Sequence, residues 1–363
     1  MPWKVKAAIA ETPHSALHIC EVDVADPGPD DVAVRLLATG ICHSDLHALE
    51  DNASATFPLI LGHEGIGDVV AIGAEVTGLN IGDRVIPYLV PDCGECPFCR
   101  SGRTNLCVEM QARMTSRRTP FSRDGQPIEA FLGLGTFAEM TVVHKDMVVK
   151  VNAAARPDHA CCIGCGVTTG IGAATITTQV QPGSSVAVLG VGGVGLSVVQ
   201  GARMAGANRI IAVDRNPAKR DIAMELGATD FIDASVVADP AADIRAITGL
   251  GAEFAFECVG QPALFKLAVD CTNPAWGTVV TLGVFPKDAS LSVSPMAMMM
   301  GRRWVGSFMG GAKRSDVAQF VDRYVAGEFS LDRLVSHRLA HSDINDGFAM
   351  MKDGRSVRSV VIY

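Results

Sequence analysis

One short run of the chain gathers the groups of a metal-assisted proton transfer: a thiol at Cys42, imidazoles at His43 and His47, a hydroxyl at Ser44 and a carboxylate at Asp45. As a thiolate Cys42 can bind zinc, Asp45 can orient a ligating imidazole, Ser44 can pass on a hydroxyl proton, and His47 can hand that proton to water. Taken alone, the run reads sooner as a buried structural cysteine beside two ordinary histidines. A metal centre needs more ligands, and the chain offers them. His63 and Glu64 stand between Gly62 and Gly65, the imidazole as a second ligand and the carboxylate as a support for the ligands or an exchangeable one. Cys161, Cys162 and Cys165 are three candidates for a further thiolate, and spacing does not choose among them.

A second array, Cys93, Cys96, Cys99 and Cys107, has gaps of two, two and seven residues. Two-residue gaps let a tight turn bring successive sulfurs to one tetrahedral ion, and four protein sulfurs leave no position open for substrate. The array predicts a structural zinc ion. The other thiols, Cys20, Cys258 and Cys271, read as packing residues.

A third constellation begins at Ser184, where the sequence period changes. A buried-strand run ends at Leu189, and Gly190, Gly192, Gly193 and Gly195 follow it directly and open a helix. That placement is what a dinucleotide site requires: one glycine for the tight turn, one for close approach of the pyrophosphate, one for helix packing, and a helix N-terminus for the negative charge. Asp214 closes the next strand-like run, about twenty residues beyond the glycines, where a carboxylate would hold ribose hydroxyls and repel a 2'-phosphate. NAD is therefore expected over NADP, with Arg215 beside it as the opposing charge.

The elements that must position these groups fall into two patterns. Residues 1–90 alternate short β-branched runs with turn residues, which predicts a barrel-like antiparallel β domain. Cys42 follows the third run and His63 precedes the fourth, so both enter from neighbouring loops. The polar stretch from Cys107 to Gly135 reads as an exposed excursion, with strand resuming over residues 136–143. From residue 185 strands alternate with helices, the signature of a doubly wound parallel sheet in the order 3-2-1-4-5-6, with an edge strand near Trp304. A tail with helices over residues 315–326 and 343–352 and a strand over 357–362 is expected to pack back on the first domain. The methionines from Met296 to Met300 read as core or interface.

With 363 residues, 48% of them hydrophobic, the chain can build two cores. A net charge of -8 with scattered Lys and Arg excludes the electrostatic footprint of a nucleic-acid or anionic-membrane binder. Residues 160–202 contain no charged side chain, but Pro182, Gly183 and many Gly, Thr and Ser break the stretch and argue against a membrane span. The run from Met1 leads into a strand without a secretory segment, so a cytoplasmic enzyme with reduced thiols is expected.

With Cys42, His63, four clustered cysteines, Cys165 and the Gly190 loop in this order, the chain resembles the zinc-dependent alcohol dehydrogenases of the medium-chain dehydrogenase/reductase superfamily over essentially its full length. Within them it is similar to the longer, class III-like branch that includes the glutathione-dependent formaldehyde dehydrogenases. The matching segments are residues 40–45, 61–65, 164–166, 190–198 and 356–360. The resemblance implies an α/β protein with a GroES-like catalytic β-barrel domain, residues 1–166 and 310–363, around an NAD-binding Rossmann domain, residues 167–309. It implies two zinc ions per chain: a catalytic one on Cys42, His63 and Cys165, and a structural one on Cys93, Cys96, Cys99 and Cys107. Ser44 and His47 match the proton relay, and Asp45 and Glu64 stand behind the ligands. His43 and Arg358 match pyrophosphate contacts, and Asp214 and Lys219 lie near the adenosine ribose. Thr169, Gly190, Gly192, Gly193, Val194, Gly195, Val259 and Val284 are the remaining NAD contacts implied. A homodimer joined at the edge strand near residues 304–308 is expected, with a tetramer as the other arrangement.

The activity implied is reversible hydride transfer between an alcohol and NAD. The glutathione-using branch carries an acidic residue and an arginine where this chain has Ala53 and Gln111, with Asp51 and Arg113 nearby. Leu89 stands where an aromatic residue is frequent, and Ser44 where many relatives have the bulkier Thr. These departures favour a primary aliphatic, allylic or benzylic alcohol larger than ethanol. A dehydrogenase of a formaldehyde–thiol adduct is the alternative, and a zinc-dependent lyase on the same fold is a third reading.

Overall fold

The computed structural model describes residues 2–50, 55–110, 112 and 119–363, so Asp51, Ala53, Gln111 and Arg113 lie outside the described residues. The chain divides into two compact units, Met1–Cys165 with Lys313–Tyr363, and Gly166–Ala312.

In the first unit, five strands close into a barrel in the order Trp3–Ala10, His18–Val24, Phe121–Arg123, Gln126–Ala130 and Leu59–Ile60. Two of these strands come from the stretch expected to be an exposed excursion. Asp124 and Gly125 both have positive φ, +53° and +74°, the left-handed pair that turns a two-residue hairpin with the natural strand twist. Alternation then points Phe121 and Ile128 into the barrel, where each is buried. The polar residues between them masked that alternation. The strand expected from residue 136 starts only at Met140, because Thr136 and Phe137 donate their backbone N–H groups to Gly62 and Leu61 instead.

The second sheet of this unit sets the site. Its central strand, Asp31–Gly40, pairs antiparallel with Glu64–Ile72 on one side and Arg358–Ile362 on the other. Gly40 lies opposite both Glu64 and Val360. Antiparallel register therefore delivers Cys42, two residues beyond Gly40, to the level of His63 and Arg358. Cys165 reaches the same level from a different direction, at the end of the short helix Pro157–Ala160 and a single 3-10 turn over Cys161–Gly164.

His159 ties that helical turn to the tail of the chain. It is buried, with Nδ1 2.9 Å from Tyr324 Oη and Nε2 2.7 Å from Arg338 Nη2. Arginine can only donate, so Nε2 accepts and Nδ1 carries the proton of a neutral ring. Burial is the largest influence and lowers its pKa; Asp158 and Asp332 oppose the shift while Arg156 and Arg338 reinforce it. The unfolded chain then binds a proton near pH ~6.5 that the folded chain resists. Stability is complete above that pH and is lost as pH falls through the lowered folded value. The melting temperature of the wild type should fall more steeply below pH ~6.5 than that of His159→Gln; superimposable curves would remove His159 from this role.

The second unit is a six-stranded parallel sheet ordered Asp230–Asp233, Arg209–Asp214, Ser185–Leu189, Phe254–Glu257, Thr278–Thr281, Arg303–Gly306. This is the order 3-2-1-4-5-6 expected from the alternation. Its crossover helices carry conventional ends. In Pro240–Thr248, for example, the Asp239 side chain accepts the Ala242 N–H, Pro240 opens the first turn, and Gly249 ends it at φ +81°. The strand order reverses between Ser185–Leu189 and Phe254–Glu257, which opens a crevice at the carboxyl ends of those two strands. The short helix Pro295–Met299 has no buried residue, so the core half of the methionine expectation fails. Three methionines in five positions look like core material, but Met296 and Met299 are exposed and Met298 is only partly buried. Among the described residues no single helix is long and apolar enough to cross a membrane.

Candidate active site

The first unit brings Cys42, His63, Glu64 and Cys165 together, with one potential ligand atom from each within 4.8 Å of the others and all four residues buried. Asp45 builds the wall behind them. Its Oδ1 lies 3.0 Å from His63 Nδ1 and accepts the Gly62 N–H, while Oδ2 accepts the Cys42 N–H at 2.9 Å. Engaging Nδ1 leaves Nε2 as the ring nitrogen for a metal. Burial is the largest single influence and would lower the His63 pKa, but Asp45 and Cys42 together outweigh it and the pKa rises well above the usual value. The two thiols share their titration: a hydrogen bond with Cys165 holds Cys42 well below the ordinary thiol range, and the same bond pushes Cys165 up. Two sulfurs, one imidazole and a carboxylate crowded without disulfides suit zinc.

Glu64 is fully buried, and burial pushes its carboxyl up to about 7 against the pull of Arg358. Arg358 Nη2 stands 3.1 Å from Oε1, an ion-pair distance, yet neither carboxylate oxygen accepts a hydrogen bond of good geometry. A buried carboxylate with uncommitted lone pairs beside three ligands is itself a feature of a cation site. Arg358 also donates to the Ile41 carbonyl at 3.3 Å. Ser44 Oγ lies 3.8 Å from Cys42 Sγ, and Ser44 and His47 follow each other by three residues on the helix His43–Glu50, hence on one face. His43 and His47 are exposed, and Leu89 is buried.

The array Cys93, Cys96, Cys99 and Cys107 also converges, its sulfurs all within 4.8 Å of one another. The backbone N–H of Cys96 points at Cys93 Sγ and that of Cys99 at Cys96 Sγ, both at 3.4 Å. The Cys99 N–H is the largest influence bringing the Cys96 thiol down to about 6. Four sulfurs bridged by N–H donors and not by disulfides fit a closed tetrahedral zinc site.

Comparison with known proteins agrees with this geometry. Residues 28–153 match the family described as alcohol dehydrogenase GroES-like domain, and residues 193–326 match zinc-binding dehydrogenase. The S-(hydroxymethyl)glutathione dehydrogenase of Synechocystis sp. is 44% identical, over 99% of this chain and 100% of that protein. The chain belongs to the zinc-dependent alcohol dehydrogenases. Among solved structures, an alcohol dehydrogenase zinc-binding domain protein from Burkholderia ambifaria superposes on this alcohol dehydrogenase with a TM-score of 0.95 at 31% identity, covering 100% of this chain and 99% of that one. The benzyl alcohol dehydrogenase of Acinetobacter calcoaceticus follows at a TM-score of 0.92 and 29% identity, covering 99% of each chain.

In the second unit of this alcohol dehydrogenase the three glycines divide their labour. Gly190 has φ +88°, a conformation that disfavours any other residue. A Cβ at Gly195 would collide with the Gly190 carbonyl, so that position serves helix–strand packing. At Gly192 a Cβ would meet nothing within 4 Å. No neighbour requires glycine there, and open space over the N-terminus of the helix Gly193–Met204 fits the approach of a phosphate. Asp214 ends its strand with Oδ2 accepting both the Val191 N–H and Lys219 Nζ at 2.9 Å, and Oδ1 accepting the Asn216 N–H. Thr169 is buried and donates to Met309 Sδ at 3.7 Å, while Val259 and Val284 are exposed.

Two features escaped sequence reasoning. The Glu64–Arg358 pair joins residues 294 positions apart, and only the strand register reveals it. Glu257 is fully buried at the end of an apolar run. The signal for it was present: an acid closing a strand of otherwise apolar residues just ahead of a glycine turn.

Proposed function

We propose that this alcohol dehydrogenase uses NAD to oxidise a primary hydroxyl carried on a thiol adduct of formaldehyde. The observation that carries this is the 44% identity over nearly the whole chain to a protein named S-(hydroxymethyl)glutathione dehydrogenase. That name favours the alternative of the sequence reading over its plain-alcohol preference. Ala53 and Gln111 depart from the residues that grip glutathione in that branch, so the thiol is left open between glutathione and a smaller one.

In this reading Cys42, His63 and Cys165 hold the catalytic zinc, and the four-sulfur array holds the structural one. When bound, zinc supplies a Lewis acid that eases loss of the hydroxyl proton, and NAD accepts hydride. Asp45 fixes the tautomer and plane of His63. Ser44 takes the hydroxyl proton, and exposed His47 passes it to water. The Gly190–Gly195 loop receives the pyrophosphate, Asp214 with Lys219 the adenosine ribose, and Val259 and Val284 are further contacts of the dinucleotide. Asp214→Ala should weaken NAD about tenfold, the scale of losing a charged acceptor, and raise relative use of NADP; an unchanged NAD:NADP ratio in initial rates would remove Asp214 from this role.

The test of the reaction is NADH formation with formaldehyde alone, with glutathione, and with smaller thiols. A rate that requires a thiol supports the adduct reading. Equal rates without thiol, together with turnover of benzylic or long aliphatic alcohols, support the plain-alcohol reading. The small Ser44, Leu89 in place of an aromatic residue, and the likeness to a benzyl alcohol dehydrogenase favour that second reading. We also infer a homodimer through the outer edge of Arg303–Gly306, which is the last strand of its sheet among the described residues and where Trp304, Met299 and Phe308 are exposed in the single chain. Eleven free cysteines suit a reducing cytoplasm.

A further inference from the structure

His63 and Glu64 stand between two glycines, and one threonine fills the space that both glycines leave. A Cβ at Gly62 would come to 2.6 Å from Thr136 Oγ1, and one at Gly65 to 2.8 Å from Thr136 Cγ2. The hydroxyl of Thr136 thus faces the residue before the ligand pair, and its methyl faces the residue after it. The backbone makes the same contact: Thr136 donates its N–H to the Gly62 carbonyl at 3.0 Å, and Phe137 donates to the Leu61 carbonyl at 2.9 Å.

Thr136 is itself held on two sides. It is fully buried, and its Oγ1 lies 2.7 Å from Oγ1 of Thr39, also fully buried, which stands opposite Gly65 in the sheet. Its carbonyl accepts the Tyr363 hydroxyl at 2.7 Å. Tyr363 follows the strand Arg358–Ile362 and is fixed in turn. Its N–H donates to the Leu37 carbonyl at 3.1 Å, and its ring meets the His341 ring edge-on with centroids 5.0 Å apart. All these residues belong to the first unit.

Glycine lacks the side chain that would limit its own backbone, and Gly62 stands at φ +91°. A ligand carried between two glycines has little local restraint on its reach, yet a metal site tolerates errors of only about 0.2 Å in ligand distance. Restraint must come from outside the segment. Asp45 supplies part of it through the Gly62 N–H and His63 Nδ1. We propose that Thr136 supplies a further part: it is a positioning residue that sets the reach of His63 to the catalytic zinc by packing against Gly62 and Gly65, and Tyr363 is the latch that keeps it seated. Both act through the glycines and not on the metal itself. This rests on the reading that Cys42, His63 and Cys165 hold zinc.

The test follows zinc affinity by equilibrium competition with a chromogenic chelator in wild type, Thr136→Ala, Tyr363→Phe and Val22→Ala, the last a cavity in the barrel strand His18–Val24. The ion that Cys42→Ser lacks is the one of interest, and the ion on Cys93, Cys96, Cys99 and Cys107 is the reference within each sample. Thr136→Ala should weaken the first ion about tenfold, the low end of the loss on removing support behind a metal ligand. Tyr363→Phe should weaken it about fivefold, the value of one hydrogen bond. The reference ion should stay within about twofold, as an independent site does. Val22→Ala should lower the melting temperature and leave both ions in place. Unchanged affinity in a folded Thr136→Ala protein, or an equal loss in Val22→Ala, overturns the positioning role. Unchanged affinity in Tyr363→Phe overturns the latch. Wild type that holds zinc on the four-sulfur array alone overturns the zinc reading and the proposal with it. If Thr136→Ala does not fold, Tyr363→Phe decides, because it keeps the ring and removes only the hydroxyl that bonds Thr136.

Discussion

Cys42→Ser should lose about four orders of magnitude or more in turnover, the scale on which removing one member of a catalytic unit acts, while the chain stays folded and still binds NADH. The reason is local. Cys42 takes its place from the Asp45 bond to its own N–H and from the register of three strands, none of which needs its sulfur. The glycine loop and Asp214 belong to the other compact unit. Zinc content should drop from two ions per chain towards one, because the array of Cys93, Cys96, Cys99 and Cys107 is untouched. The measurements are absorbance at ~340 nm, metal content and NADH fluorescence on the same preparation. Retained turnover in a metal-depleted Cys42→Ser protein would sink the zinc mechanism.

Arg358→Met should cost about 3–5 kcal/mol of stability, the usual loss when one partner of a buried ion pair is removed and the other is left behind. Glu64 is fully buried and Arg358 nearly so, 3.1 Å apart, so the carboxyl left behind has no water to turn to and must bear an unpaired charge or take up a proton. The loss should be partly recovered in the double variant Glu64→Gln/Arg358→Met, because the stranded charge is gone. Denaturant midpoints of wild type, both single variants and the double variant measure the coupling. A single variant as stable as the wild type, or strict additivity, would show that the pair is held apart by geometry and contributes little.

How much of this was legible depends on whether a group's role is local in sequence. The glycines of the loop Gly190–Gly195 could be read because each has a local setting its own neighbours define: a turn at Gly190, open space at Gly192, packing at Gly195. The four-sulfur array could be read because its ligands lie within one short stretch. Choosing Cys165 over its neighbours could not be done from spacing. Spacing left three candidates and the family resemblance named Cys165; the three-dimensional turn then separates the cluster member Cys165 from Cys161 and Cys162, whose sulfurs lie 3.8 Å from each other. The barrel strands Phe121–Arg123 and Gln126–Ala130 were hidden by the polar side chains on their outer faces. The Glu64–Arg358 pair was hidden by distance along the chain, since a non-local register leaves no trace in either neighbourhood.

The pairing of Arg358–Ile362 with Asp31–Gly40 also orders the assembly of the protein during its synthesis. The nucleotide unit is one continuous segment, Gly166–Ala312, and has all its strands as soon as that segment has emerged from the ribosome. The metal unit emerges first yet finishes second, because the sheet behind Cys42 and Glu64 lacks a strand, and Glu64 lacks its cation, until residues 358–362 are out. Domains fold as their chains complete, so the nascent protein acquires its nucleotide fold while its thiols still await their scaffold. The complete scaffold around Cys42, His63 and Cys165 therefore waits for the strand Arg358–Ile362, whereas the second unit needs nothing beyond residue 312.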